Sequence, residues 1–214
     1  MSKIHLEIFD KERQEVFELL SNFNPSGYLA GGTALSLQIN HRKSFDFDIF
    51  VYKQISTKLR LEVKRLFGNN NYYVNSEDQM SFALSNGINI TFLWYYYQPL
   101  FSFIQTNSIP LLSVRDIAAD KAHTIGRRAV WRDYVDFFFL FKKDIVTIET
   151  VISDAKKKFD GEFNEALFLQ QLSYFKDIRE SPIEFIGKSY TKQTIQSFLE
   201  NYVKDYINRI VKKK

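Results

Sequence analysis

The segment from residue 28 to residue 52 decides the fold, and it reads YLAGGTALSLQINHRKSFDFDIFVY. Its apolar start ends in two glycines, which predicts a short strand that leads directly into a helix over residues 33–40. In residues 45–52 every second residue is apolar, so a strand would hold Asp46 and Asp48 together on its other face. The segment therefore predicts a strand, a helix and a second strand that carries a pair of carboxylates.

Further elements are expected on both sides of this segment. Asp10 predicts the N-cap of a helix that ends near residue 23, and another helix is expected over residues 57–67. Three more strands are expected at residues 71–75, 80–84 and 88–94. Asn86 and Gly87 predict a tight hairpin between the last two strands. This order of elements predicts an α+β fold, with helices packed on a small mixed sheet.

The character of the chain changes after Pro110, where the pattern becomes helical. A helix is expected to begin after Ser113, and another spans residues 131–143. The remaining residues repeat apolar side chains at helical spacing. We therefore predict a sheet-containing domain over residues 1–110 and a helical domain over residues 111–214.

The composition excludes several classes of protein. The chain has no cysteine, which rules out a disulfide scaffold, a thiolate zinc site and a cysteine nucleophile. It lacks an apolar run long enough for a membrane helix, and its N-terminal residues lack the pattern of a signal peptide. These observations predict a cytoplasmic protein with no membrane partner. The formal net charge of +4 suits a polyanionic partner, but it is also common in proteins that bind no nucleic acid.

The carboxylate pair and the glycine pair are the main candidates for chemistry. Asp46 and Asp48 on one strand face can hold a hard cation such as Mg²⁺, which neutralises charge during phosphoryl transfer. Gly31 and Gly32 would let the backbone approach phosphate oxygens at a helix N-terminus, where Thr33 adds a hydroxyl. The alternatives are a solvent-facing strand edge for the two aspartates and a simple turn for the two glycines.

Four stretches carry a resemblance to a known family. Residues 30–35, AGGTAL, and residues 42–48, RKSFDFD, look like the start of the DNA polymerase β-like nucleotidyltransferase superfamily. They resemble especially the nucleotidyltransferase AbiEii/AbiGii toxin family. Residues 113–121, SVRDIAADK, and residues 127–140, RRAVWRDYVDFFFL, are similar to later motifs of that family. The resemblance covers about residues 27–141 of the chain.

The resemblance implies a nucleotidyltransferase fold whose helical region contributes to the active-site cleft. The implied activity is Mg²⁺-dependent transfer of a nucleotide from an NTP to an acceptor. Some members of the family act on tRNA ends as toxins beside an antitoxin, so RNA and an antitoxin protein are the implied partners. Asp46 and Asp48 would bind the metal, and Lys121 and Asp133 would complete the catalytic set. The implied nucleotide-binding residues are Gly31, Gly32, Thr33, Arg42, Ser44 and Lys121.

The later motifs also have a direct physical interpretation. A lysine ammonium such as that of Lys121 can act as a point charge for a triphosphate, although a solvated surface lysine is the common alternative. The helix over residues 131–143 is mostly apolar, which predicts that it is buried. Asp133 or Asp136 on such a helix would need a partner, which Lys121 or a nearby arginine could supply.

Thr91 departs from the pattern of many polymerase β-like enzymes, which carry a third carboxylate at this point of a later strand. A threonine is no general base at neutral pH and is a poor ligand for Mg²⁺. Either two carboxylates suffice, or the chain is a non-catalytic module that binds RNA or protein. An enzyme that modifies a small molecule such as an aminoglycoside is a further alternative. The aromatic run at residues 94–97 could stack a base, or it could pack in the core.

Overall fold

The computed structural model of the protein describes residues 3–212. The N-terminal residues, whose sequence lacks the pattern of a signal peptide, include Met1 and Ser2, which lie outside the described residues. The chain divides into two compact units, of which the first ends at Val114 and the second begins at Arg115. Across residues 3–212, none of the helices combines the length and the apolar character that crossing a bilayer requires.

The first unit contains the sheet and three α-helices. Its strands are β1 (Gly27–Ala30), β2 (Phe47–Val51), β3 (Tyr72–Asn75), β4 (Gln79–Ala83) and β5 (Asn89–Trp94). Its helices are α1 (Lys11–Leu19), α2 (Gly31–Ile39) and α3 (Thr57–Phe67), with 3-10 turns at Leu6–Ile8 and Leu20–Phe23. The predicted α+β class is therefore confirmed.

The five strands form one mixed sheet in the order β1-β2-β5-β4-β3. The central pair, β2 and β5, is parallel, and the other neighbours are antiparallel. The predicted hairpin at Asn86 and Gly87 joins β4 to β5, and Gly87 has the positive φ of +81° that such a turn requires. The strand predicted over residues 45–52 spans only Phe47–Val51, so Asp48 lies within the central strand and Asp46 directly precedes it.

The alternation predicted for β2 is confirmed within the strand. Phe47, Ile49 and Val51 are buried in the core of the unit. The prediction was wrong for Phe45, which precedes the strand, is 38% exposed and lies under the guanidinium of Arg13 at 4.7 Å from the ring centroid. Outside the ladder no pleat orients this side chain, so a cation–π contact at the surface replaces burial in the core.

The caps of the helices follow the sequence closely, with one correction. The side chain of Asp10 accepts a hydrogen bond from the backbone N–H of Arg13 at 2.9 Å, as its predicted N-cap role requires. Ser56 caps α3 by accepting from the N–H of Leu59 at 3.2 Å. The helix predicted from Thr33 instead begins at Gly31, so the two glycines form its first turn rather than a separate loop.

The second unit is helical, as expected. It contains α4 (Val114–Ile125), α5 (Trp131–Lys142), α6 (Ile148–Phe159), α7 (Glu165–Leu172) and α8 (Lys192–Val211). The predicted burial of α5 is confirmed, because its aromatic residues pack against α7 and α8. The ring centroids lie 5.5 Å apart for Phe137 and Phe168, 5.1 Å for Phe138 and Phe198, and 4.7 Å for Phe141 and Tyr202.

Candidate active site

A row of polar side chains crosses the sheet at the level of Asp48. Asp48 pairs with Ala30 of β1 on one side and with Thr91 of β5 on the other. Thr91 pairs in turn with Ser81 of β4, and their hydroxyl oxygens lie 3.0 Å apart. Thr91 therefore lies directly opposite Asp48, and its contact with Ser81 continues the polar row into the far half of the sheet.

Asp46 is held by two residues that sequence reasoning missed. The side-chain amide of Asn89 donates a hydrogen bond to Oδ1 of Asp46 at 2.9 Å. The hydroxyl of Tyr73 donates to Oδ1 of Asn89 at 3.5 Å. Burial raises the pKa of Tyr73, and the charges of Asp46 and Asp48 raise it further, whereas its contact with Thr91 acts in the opposite direction. The available signal in the sequence was the polar pair Asn89 and Thr91 on β5, which repeats the two-residue spacing of Asp46 and Asp48.

Gly31 makes the closest approach of the backbone to the carboxylate pair. Its φ is +67°, a conformation that side chains with a Cβ atom rarely adopt, and a Cβ atom there would lie 2.6 Å from Oδ2 of Asp48. The N-terminus of α2 therefore begins against the carboxylate of Asp48. The free N–H groups and positive dipole end of a helix favour negative charge at this point.

The other predicted nucleotide-binding residues of the first unit surround Gly32. A Cβ atom on Gly32 would lie 2.8 Å from Nη2 of Arg42 and 3.1 Å from Oγ of Ser44. The hydroxyl of Thr33 donates to the backbone carbonyl of Asp46, and its oxygen lies 3.0 Å from Oγ of Ser44. Arg42 is buried and donates from Nη1 to the carbonyl of Lys43 at 3.1 Å. The structure thus brings together all seven predicted residues of this unit, namely Gly31, Gly32, Thr33, Arg42, Ser44, Asp46 and Asp48.

The chemistry of this donor set suits a hard cation. Magnesium sites in proteins commonly use one or two carboxylates, and waters and substrate phosphates supply the other oxygen ligands. Asp46 and Asp48 offer such a pair beside the N-terminus of a helix. In the part of the chain that the structure describes, no group of three or more histidine, aspartate or glutamate side chains gathers as a metal site.

In the second unit, Lys121 lies between two carboxylates of α5. Its Nζ is 2.6 Å from Oδ1 of Asp133 and 2.7 Å from Oδ2 of Asp136, and all three side chains are buried. The prediction that an aspartate on α5 needs a partner is confirmed, and Lys121 supplies it. Oδ2 of Asp133 accepts no hydrogen bond from the described residues, and Nε of Arg128 lies 3.9 Å from it.

A second ionic cluster links α4 to α6, and sequence reasoning missed it. Nζ of Lys158 lies 3.1 Å from Oδ1 of Asp116 and 2.8 Å from Oδ1 of Asp120. Arg115 forms a bidentate pair with Asp154, at 2.8 Å and 2.7 Å. Since these partners lie about forty positions apart in the chain, local spacing gives no sign of the pairing. The acidic and basic residues that precede Lys121 in α4 therefore help to fix that helix against α6.

Both clusters of the later motif are buried ionic contacts within the helical unit. Asp116 and Lys158 are completely buried, so their charges are compensated within the protein. The ring of His123, two turns beyond Asp116 on α4, stacks on Phe159 with centroids 4.0 Å apart. Burial lowers the pKa of His123, and the charge of Arg127 lowers it further. Lys121 is the cation of α4 that the carboxylates of α5 hold.

Comparison with known proteins identifies relatives over most of the chain. The family model for the nucleotidyl transferase AbiEii toxin of type IV toxin–antitoxin systems matches residues 79–206. An uncharacterized protein of Aquifex aeolicus (strain VF5) is 30% identical over 207 residues, which cover 92% of this chain and 97% of that protein. The match to the family model includes Lys121, Asp133 and Asp136 and begins after the glycine and aspartate pairs.

Two solved structures share the fold at low sequence identity. MenT4, a nucleotidyltransferase toxin from Mycobacterium tuberculosis, superposes with a TM-score of 0.62 at 15% identity, over 90% of this chain and 80% of MenT4. A candidate nucleotidyltransferase from Helicobacter pylori superposes with a TM-score of 0.58 at 14% identity, over 96% of this chain and 99% of that chain. These likenesses establish a common architecture that includes both the sheet and the helical unit.

Proposed function

The chain belongs to the AbiEii nucleotidyltransferase toxin family and is a nucleotidyltransferase, and we propose that it transfers a nucleotide from a magnesium-bound NTP to RNA. The acceptor in this proposal is the end of a tRNA, and the protein acts as the toxin of a toxin–antitoxin pair. One observation carries the proposal: the N-terminus of α2 begins at Gly31, directly against the carboxylate of Asp48. In this arrangement a proposed phosphate-binding site, the first turn of α2, lies next to a proposed cation-binding site, the carboxylate of Asp48.

Asp46 and Asp48 are the proposed ligands of Mg²⁺. Asn89 orients Asp46 through its amide, and Gly31 leaves space beside the carboxylate of Asp48. When bound, the ion supplies neutralisation of the negative charge that develops on the triphosphate. In this proposal Thr91, which lies opposite Asp48, is uncharged and does not bind the ion. The two aspartates are then the protein ligands of Mg²⁺.

The triphosphate is proposed to lie at the first turn of α2. The backbone N–H groups of Gly31, Gly32 and Thr33 are available to phosphate oxygens at a helix N-terminus. Arg42 lies against Gly32, so its guanidinium adds fixed positive charge at the same turn. Ser44 fixes the turn through its hydrogen bond with Thr33. A larger residue at position 32 would collide with Arg42 or Ser44, which supports a role for both in the shape of this site.

Lys121 and Asp133 are proposed as the catalytic residues of the helical unit. Lys121 would contact the phosphates as a point charge whose position Asp133 and Asp136 fix. Oδ2 of Asp133 is the proposed base that accepts the proton of the acceptor hydroxyl. The acceptor oxygen then forms a bond to the α-phosphorus, and the bond from that phosphorus to the leaving pyrophosphate breaks.

The distribution of charge supports RNA as the acceptor. Between residues 121 and 143 there are six lysines and arginines but only two aspartates. Attraction between such a basic segment and phosphates falls steeply with salt, which gives a measurable signature. An aminoglycoside acceptor would itself be cationic, so this segment would repel it.

The test of the proposed function is a transfer assay with Mg²⁺, each of the four labelled NTPs in turn and total cellular RNA. The expected result is label in RNA from one preferred NTP, lost in Asp46→Asn and Asp48→Asn variants. Label in an added aminoglycoside but not in RNA would favour the small-molecule alternative. Absence of both transfer and NTP binding would favour a non-catalytic module, with Thr91 as the reason.

The toxin role has a separate test. Expression of the wild-type protein should arrest growth of a bacterial host, and the Asp48→Asn protein at equal abundance should not. Co-expression of the gene next to its own is expected to relieve the arrest if that gene encodes the antitoxin. Equal arrest by both proteins would contradict a toxin mechanism based on nucleotide transfer.

A further inference from the structure

A stripe of aromatic rings continues from Asp48 along the same face of the sheet. Phe50 is the next residue of β2 on this face, about 7 Å beyond Asp48, and it pairs with Tyr28 of β1. The ring centroids of Phe50 and Tyr28 lie 5.9 Å apart, and those of Tyr28 and Tyr52 lie 5.6 Å apart. Phe50 also contacts Tyr95, at 4.5 Å between centroids. The stripe thus begins beside the carboxylates and extends away from them.

The stripe ends in rings that are open to solvent. Tyr95 contacts Tyr97 at 5.4 Å between centroids, and Tyr97 contacts Tyr96 at 4.0 Å. Tyr96 is 55% exposed and Tyr52 is 42% exposed. We call the six residues Tyr28, Phe50, Tyr52, Tyr95, Tyr96 and Tyr97 the aromatic stripe. Of these six rings Tyr52 and Tyr96 are exposed, whereas Tyr28 is buried and connects Tyr52 to Phe50. Two exposed rings joined through one packed aromatic cluster indicate a binding surface, because isolated exposed rings are common but connected ones are not.

A cationic cavity adjoins the far end of the stripe. Tyr52 belongs to the aromatic stripe and also lines a cavity of about 590 Å³ at the end of β2. Lys53 and Lys58 line this cavity too, together with Ser56, the N-cap of α3. The acidic residue on its wall, Glu62, is bridged to Arg65 at 2.5 Å. The balance of charge at the cavity is therefore positive.

The combination of stripe and cavity fits one class of ligand best. Aromatic faces stack any base, and lysines bind the phosphates that connect successive bases. From Asp48 to Tyr52 the chain advances about 13 Å, which matches about four nucleotides of a stacked strand. In a duplex the base faces are hidden within the stack, so a single strand is required. A cationic small molecule would be repelled by Lys53 and Lys58.

We infer that the aromatic stripe binds the single-stranded end of the RNA acceptor, with bases on Tyr52 and Tyr96 and phosphates at Lys53 and Lys58. The inference rests on the proposed function, since it names the surface that presents the acceptor to the site of Asp46 and Asp48. It goes beyond that function because none of these four residues takes part in binding the NTP. The stripe would select unpaired RNA ends over duplex RNA.

The test measures binding of a fluorescent single-stranded oligoribonucleotide without NTP, by anisotropy. Tyr52→Ala and Tyr96→Ala are each expected to weaken binding by between about fivefold and a hundredfold, the usual effect of losing one stacked base. Tyr52→Phe retains the ring and should recover most of the affinity. Tyr174→Ala, an exposed tyrosine of the helical unit, serves as the matched control and should bind as the wild type does.

Two further measurements separate stacking from charge and from catalysis. Lys58→Ala should lower the slope of log affinity against log salt concentration by about 0.7, as expected for one lost contact with a single strand. In the transfer assay, Tyr96→Ala should raise the KM for RNA while the KM for the NTP stays at its wild-type value. A general loss of structure would change both KM values and the salt-independent affinity.

The outcomes distinguish failure of this inference from failure of the proposed function. Transfer to RNA with wild-type RNA affinity in both alanine variants would overturn the stripe and leave the transferase function standing. If the two alanine variants bind RNA as the wild type does but have a changed oligomeric state, the aromatic stripe is a protein–protein interface and the inference is wrong. If the wild-type protein binds no single-stranded RNA and transfers label only to a small molecule, both the inference and the RNA acceptor are wrong.

Discussion

Gly31 lies against the carboxylate of Asp48, so closely that a Cβ atom at residue 31 would be 2.6 Å from Oδ2. Its φ of +67° is a second and independent reason for glycine at this position. The contact joins the first turn of α2 to the central strand β2. It is the point at which the phosphate-binding and cation-binding parts of the proposed site meet.

Substitution of Gly31 by alanine tests this contact. We expect Gly31→Ala to lower the free energy of unfolding by about 1–3 kcal/mol, because it forces a strained backbone and a collision with Asp48. NTP affinity should fall with it, since the carboxylate must move. Gly161→Ala is the matched control, because a Cβ atom there meets nothing within 4 Å. Thermal unfolding and calorimetry measure both effects, and wild-type values for Gly31→Ala would contradict the account.

The position of Thr91 opposite Asp48 gives a second prediction. Thr91→Asp places a third carboxylate beside Asp48, and like charges directly opposite on neighbouring strands repel. Without Mg²⁺, the melting temperature of the Thr91→Asp protein should therefore be lower than that of the wild type. On addition of Mg²⁺ it should rise by more than the melting temperature of the wild type does. Thr91→Asn, similar in size and uncharged, should show no such recovery. A Thr91→Asp protein indifferent to Mg²⁺ would argue against a cation at Asp48.

The buried pairing of Lys121 leads to a prediction about stability. Lys121→Met leaves Asp133 and Asp136 without their cation, and loss of one partner of a buried ion pair costs about 3–5 kcal/mol. Lys156→Met removes the comparable but more exposed pair with Glu165 and should cost no more than about 1 kcal/mol. Urea unfolding of both variants measures the difference. Equal losses would mean that burial of the Lys121 cluster contributes nothing.

The environment of His123 predicts a dependence of stability on pH. Burial and the charge of Arg127 lower the pKa of His123 in the folded state below its ordinary value of 6.5, against a smaller opposite effect of Glu162. Below about pH 6.5, His123 is therefore protonated in the unfolded chain before it is protonated in the folded protein. The free energy of unfolding consequently falls as the pH falls.

The phenylalanine variant isolates this effect. His123→Phe retains a flat ring against Phe159 but cannot titrate. Its free energy of unfolding should fall less than that of the wild type between pH 7.5 and pH 5.5, while the two proteins respond alike above pH 7.5. Denaturant unfolding at each pH gives the comparison. Identical slopes for the two proteins in the acidic range would show that His123 does not cause the dependence.

Sequence patterns predicted the elements that depend on local spacing. The alternation in β2, the cap at Asp10 and the apolar length of α5 each have a cause within about ten residues of chain. For the same reason, the apolar pattern of α5 predicts that its aspartates need a partner, and Lys121 supplies it. Helix α2 begins two residues before its predicted start, because glycines are poor helix formers and their place in the first turn depends on the contact with Asp48.

What could not be predicted depends on pairing across the sheet or between helices. Asn89 reaches Asp46 only because β2 and β5 are parallel neighbours, although the two residues lie 43 positions apart. Lys158 meets Asp116 for a similar reason, across the packing of two helices. The aromatic stripe joins β1, β2 and the residues after β5, which share a sheet face but no sequence motif.

The central claim is that Asp46 and Asp48 hold the cation of an NTP-dependent transferase, and calorimetric titration of each NTP with Mg²⁺ tests it most directly. The account predicts that the wild-type protein binds one NTP in a Mg²⁺-dependent manner and that Asp48→Asn abolishes this binding while retaining the wild-type fold. Asp205→Asn, an exposed aspartate of α8, should bind as the wild type does. Unchanged, Mg²⁺-dependent affinity in a folded Asp48→Asn protein would contradict the account.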